Sequence, residues 1–163
     1  MNTVAVALSG VAAAAWRTDA ARFCRRALAA AGIDGWDLSV LLCSDAVIRG
    51  LNARYRGRDQ PTDVLSFSQS EGRPLPGTGQ QRIAGDLVIS VETLRRNAAA
   101  DGPTGNRRAD EEGELKRLAV HGILHLAGMD HGPGRGPAMR DRERRLVAAL
   151  AARRRAGVGG GEP

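Results

Sequence analysis

All three histidines of the chain fall in one run, HGILHLAGMDH, as His121, His125 and His131. The first two are four positions apart. On an α-helix that spacing puts both rings on one face, one turn apart, where two imidazoles can reach one ion. Gly128 is the predicted left-handed residue that ends this helix. The chain then turns back and can bring His131 to the same ion. Three neutral imidazoles with an open fourth position is the arrangement of a catalytic zinc site. A closed structural site would need a fourth ligand, and no cysteine lies nearby.

The pattern upstream supports a helix from Gly113 to about Ala127. Leu115, Ala119, Ile123 and Leu126 lie opposite the histidines, and Leu118 and Leu124 flank them. In the zincin motif H-E-x-x-H, a glutamate after the first histidine is the general base of peptide hydrolysis. Here that position is Gly122, which argues against a peptidase.

Earlier segments alternate between strand and helix signals. Val4, Val6 and Leu8 alternate with alanines, and Trp36 to Cys43 is a short apolar run, so both are predicted strands. Between them, Thr18-Asp19 is a predicted cap for a helix with Phe23, Ala27, Leu28 and Ala31 on one stripe, ended by Gly32. Ser44 or Asp45 caps the next helix, which carries Ile48, Leu51 and Tyr55 and stops near Arg56-Gly57 before Pro61. Val64 to Ser68 is a third strand. Asp86 to Val91 is a fourth, apolar on both faces and therefore central. Ser90 caps a helix through Leu94 and Ala98. Two Gly- and Pro-containing stretches, Ser70 to Gln81 and Asp101 to Glu112, are predicted loops. After a bend at Gly132 to Pro137, a last helix runs to about Arg154. The order β-α-β-α-β-β-α-α-α predicts an α/β fold: a single domain with a small four-stranded mixed sheet, about five helices, and a metal site on a helix of the C-terminal half.

The chain has 163 residues, enough for one domain with its own core. Residues 1–156 are the expected domain and 157–163 a flexible tail. The apolar start, Val4 to Trp16, has no preceding basic residue and is broken by Ser9-Gly10, so it fits neither a signal peptide nor a spanning helix. The expected setting is cytoplasmic, with Cys24 and Cys43 reduced in the core. The net charge of +6 suits a phosphate-bearing partner, although arginine dominates the basic residues so strongly that codon bias explains it equally well. Aromatics make up only 3%, which argues against a platform of several stacked rings. No Walker loop or GxGxxG indicates a nucleotide cofactor.

The run HGILHLAGMDH, with LNARYRGRDQPTDVLSF and GDLVIS upstream, closely resembles the YbeY family of bacterial endoribonucleases. The blocks appear in the family's order. With Met139 and Glu143 the resemblance covers residues 45 to 150. It implies a zinc-dependent, single-strand-specific endoribonuclease acting in 16S ribosomal RNA 3′-end maturation and ribosome quality control. The family's metal histidines correspond to His121, His125 and His131, and one Zn2+ per chain is expected. Its functional arginine corresponds to Arg56 of the Tyr-Arg pair. The implied partners are ribosomal RNA and the small ribosomal subunit, with a ribosomal protein or an assembly GTPase as the protein partner such a role would use. Where the family usually has tyrosine, this chain has Met129.

The residues suggest roles of their own. A zinc ion lowers the pKa of water from about 15.7 to about 7, and a guanidinium such as Arg56 can bind a phosphate oxygen as charge builds. Asp130 adjoins His131; it can hold an imidazole N–H or simply form the turn, and the general base is the less favoured reading. Glu143 stands on an otherwise apolar stripe with Met139, Leu146 and Leu150. A buried carboxylate there needs a partner, either an arginine or a metal-ligand histidine; a partly exposed helix start is the other reading. Arg54 and Arg58 are candidates for a phosphate path. The basic last helix is either a solvated face or a contact for ribosomal RNA. Two further functions remain open: a non-catalytic ribosome assembly factor with a structural metal, and a metal-dependent hydrolase of another substrate.

Overall fold

The computed structural model describes residues 1–12, 16–69, 82–129 and 136–156. Their elements follow the predicted order: β1 (Thr3–Ser9), α1 (Trp16–Ala30), β2 (Trp36–Cys43), α2 (Asp45–Arg56), β3 (Val64–Ser68), β4 (Arg82–Ser90), α3 (Val91–Asp101), α4 (Arg107–Leu126) and α5 (Gly136–Ala156). The predicted loop Ser70 to Gln81, the bend before α5 and the tail 157–163 lie outside the described residues.

The strands form one sheet in the order β1-β2-β4-β3. β1, β2 and β4 run parallel, joined by crossovers, and β3 pairs antiparallel with β4. β4 is buried on both faces, as its continuous apolar run predicts. Leu87 and Ile89 meet the larger core with β1, β2, α1, α3, α4 and α5, while Val88 meets a smaller cluster under α2 built on Cys43, Ile48 and Leu65. Burial pushes the Cys24 thiol up to about 12 and the Cys43 thiol up to about 11. Both are therefore protonated core residues at neutral pH.

Three boundaries differ from expectation. α1 starts at Trp16, ahead of the Thr18-Asp19 cap, with Trp16 packed against the larger core. β4 starts at Arg82, four residues early, because Arg82 and Ile83 pair with Trp36 and Asp37 across a register shift at Asp37/Leu38. Gly85 absorbs that shift at φ +141, where a Cβ would lie 2.1 Å from the Phe67 carbonyl oxygen. α4 starts at Arg107, within the predicted loop. The Asn106 side chain caps it, accepting from the Ala109 N–H at 3.2 Å. Its first-turn acids are partnered: the Thr104 hydroxyl donates to Asp110 at 2.7 Å, and Arg107 donates to Glu111 at 2.9 Å.

Among the described residues, no helix is long and apolar enough to cross a membrane.

Candidate active site

α4 packs tightly against the sheet at Gly122. A Cβ there would stand 2.1 Å from Cδ1 of Leu87, which is fully buried. Contact at this residue fixes the rotation of the helix. His121 and His125 emerge together, half-buried, into a cleft of about 790 Å³. Their Nε2 atoms stand 3.1 Å apart and their rings meet at 66°. Just past the end of α4 stands Gly128, in the left-handed conformation at φ +83. The Gly128 N–H bonds the His125 carbonyl at 2.9 Å and the Met129 N–H bonds that of Leu124 at 3.0 Å. This pair of bonds is a Schellman stop.

Glu143 is the residue whose role the sequence left open. Met139, Leu146 and Leu150 bury around it and seat α5 in the core. Its side chain is 12% exposed, and Oε2 lies 3.0 Å from Nδ1 of His121. A carboxylate at Nδ1 draws the ring proton to that nitrogen, which makes Nε2 the lone-pair side facing His125. On the other side of Glu143 stands Arg117, at 3.8 Å. Arg117 also bonds Glu114 at 2.8 Å and faces Asp63 at 3.6 Å. Hydrogen bonds to Glu114 raise the guanidinium's pKa above its usual value, against the cost of partial burial. Burial opposes charge on Glu114, but hydrogen bonds from Arg117 and Asn97 outweigh it and hold that carboxyl below the usual range.

Arg117 was missed by the sequence reading. It stands four residues before His121, on the same helical face, and that spacing is the signal that could have found it. Through it α4 reaches both α5 and the start of β3.

The opposite wall of the cleft comes from residues 52–68. Asn52 is buried and its amide donates to the Gln60 carbonyl at 2.8 Å, folding the loop back on α2. Gly57, at φ +67, ends α2. Arg56 is thereby presented at the rim, where its guanidinium donates to the Ser66 carbonyl of β3 at 3.2 Å. Arg56, Arg58, Thr62, Val64, Ser66 and Ser68 line the same cleft as His121 and His125. Asp63 serves the backbone, accepting from the Val64 N–H at 2.8 Å, and its carbonyl accepts from Ser90 at 2.9 Å.

Of the residues expected at a site, His121 contacts both His125 and Glu143, and Arg56 shares the cleft of the two histidines. Asp130 and His131 lie outside the described residues. Among the described residues, no group of three histidine, cysteine or carboxylate side chains is arranged to hold an ion. The donor chemistry nevertheless fits a cation that prefers imidazole: two Nε2 atoms converge, and a carboxylate stands at Nδ1 of one ring.

A family model described as Endoribonuclease YbeY matches residues 7–151. Endoribonuclease YbeY of Treponema pallidum is 41% identical over 132 residues, 80% of this chain and 78% of that protein. Endoribonuclease YbeY of Nitrobacter winogradskyi is 42% identical over 151 residues, 86% of this chain and 76% of that protein. Among solved structures, the solution structure of TM1509 from Thermotoga maritima matches with a TM-score of 0.59 at 24% identity, over 97% of this chain and 99% of that one. At that identity the likeness is one of fold.

Proposed function

The chain belongs to the YbeY endoribonuclease family, and from that premise we propose that it is a zinc-dependent hydrolase of single-stranded RNA, acting in 16S ribosomal RNA 3′-end maturation and ribosome quality control. One observation carries the reading: a histidine pair with converging Nε2 atoms, backed by a carboxylate, shares a cleft with an arginine.

In this account His121, His125 and His131 hold one zinc ion. When bound, the ion supplies Lewis acidity and a water acidic enough to act at neutral pH. Glu143 keeps His121 in the required tautomer and orientation. Asp130 does the same for a neighbouring imidazole. Among the described residues, Arg56 is tethered at the rim by one bond to a backbone carbonyl. It can exchange that bond for a charge-assisted one to a phosphate oxygen of the RNA, neutralising charge as it builds in the transition state. Arg58, on the same wall, extends the positive lining along the strand's path. Residues 1–156 form the catalytic domain, in the cytoplasm. Ribosomal RNA of the small subunit is the substrate, and a ribosomal protein or assembly GTPase directs the enzyme to it.

The packing at Gly122 favours this class over a peptidase, because the position that carries the zincin glutamate has no room for a side chain. Cleavage of a labelled single-stranded RNA, with and without chelator, by wild type and by His121→Ala tests the reading. Metal-dependent cleavage, lost in a variant that still folds and binds RNA, supports it. A variant that unfolds on losing its metal, from a parent that never cuts RNA, replaces it with an assembly factor holding a structural ion.

A further inference from the structure

Tyr55 is the chain's only tyrosine. Apart from Met1, it is the one large hydrophobic side chain exposed among the described residues, at 55%. The spacing in α2 puts it on the stripe of Ile48 and Leu51, yet Ile48 is fully buried and Tyr55 is not. Its ring is braced, not packed away. Phe67 of β3 meets it edge-on, with centroids 5.1 Å apart and 65° between planes. The Arg54 guanidinium stands 5.3 Å from its centroid.

Its position relative to the cleft is specific. Ser66 and Ser68 face the cleft, whereas Phe67, between them, joins the cluster under α2. Tyr55 and the cleft therefore flank the same short edge strand, and Arg56 on the cleft side bonds that strand at the Ser66 carbonyl. The surroundings are cationic: Arg54, Arg56 and Arg58 surround the ring in sequence, and the nearby acid, Asp59, is paired with Arg49 at 2.7 Å.

We propose that Tyr55 is a stacking step for one unpaired RNA base, with Arg54 beside it on the phosphate, for the strand that passes from the cleft over the β3 edge. The inference rests on the RNA reading above and names how single strands are preferred. A duplex hides its base faces, whereas an unpaired base offers one to an aromatic ring. An apolar protein partner would have to bury guanidinium groups beside the ring; an RNA strand neutralises them. One ring accommodates one base, which agrees with a composition too poor in aromatics for a longer platform.

The test is fluorescence anisotropy of the full chain with a nuclease-resistant 2′-O-methyl single-stranded RNA at several salt concentrations. Tyr55→Ala should weaken binding about tenfold, with the slope of log affinity against log salt unchanged. Tyr55→Leu keeps an apolar contact for Phe67 but no π-face and should weaken it equally. Tyr55→Phe should bind as wild type. Arg54→Ala should lower the slope by about 0.7, the mark of one lost phosphate contact. Wild-type affinity in Tyr55→Ala and Tyr55→Leu overturns the inference while leaving the RNA reading intact. If the wild-type chain does not bind the RNA, both fall.

Discussion

His121 Nδ1, on α4, and a carboxylate oxygen of Glu143, on α5, stand 3.0 Å apart, although the two residues are 22 positions apart in the chain. The contact links the core to the candidate site, because the apolar stripe that seats α5 also delivers the carboxylate that stands against the imidazole.

Removing that carboxylate should therefore loosen metal binding without dismantling the fold. Glu143→Ala is expected to lower zinc affinity about 10- to 100-fold, the usual cost of losing a carboxylate behind a metal-bound histidine. Glu143→Gln, which keeps an acceptor oxygen, should lose less. Competition against a chromophoric chelator measures both. Equal affinity in all three proteins would show that Glu143 serves packing alone.

Gly122 makes the opposite kind of prediction, one about stability. A side chain there drives into Leu87, fully buried on β4. Gly122→Glu recreates the zincin pattern in sequence but should cost about 3 kcal/mol, from overpacking and a buried charge, and confer no peptidase activity. Urea denaturation checks the first part. Stability within about 0.5 kcal/mol of wild type would mean that α4 can lift from the sheet at no cost.

The pair of Glu114 and Arg117 sets an acid limit. The Glu114 carboxyl is held below the usual range in the folded chain. Its contribution is thus present above the ordinary glutamate pKa of about 4.3 and is lost as pH falls through the lowered folded value. Arg117 is 42% exposed, so the contribution is modest, about 1 kcal/mol at neutral pH. Glu114→Gln should be less stable than wild type by that amount at pH 7, and the gap should close as the pH falls below about 4. A gap that stays constant across that range would contradict the assignment.

What could be read from sequence, and what could not, divides by the range of the interaction responsible. β2 and β3 run to their predicted ends because alternation and flanking turn residues are local signals. The Ser44 cap, the Gly57 stop and the Gly128 stop are likewise local. The start of α4 was misplaced because Asp110 and Glu111 resemble a solvated loop; their partners Thr104 and Arg107 make them a helix start. The early start of β4 depends on a register shift against β2, a non-local event. For the site, the histidine pair was legible from its spacing, as was the Arg56 block from its resemblance. Glu143 was legible as an anomaly, a carboxylate on an apolar stripe, but its partner lies on another helix. The partners of Arg117 beyond α4 and the exposure of Tyr55 depend on which elements come together, which no local pattern reports.

The central claim is that one ion sits on the histidines. Elemental mass spectrometry of protein purified without an affinity tag, wild type beside His125→Ala, tests it most directly. About one zinc per chain in wild type, absent from the variant, is the expected result. A wild-type protein that cuts RNA while carrying no stoichiometric metal would contradict it.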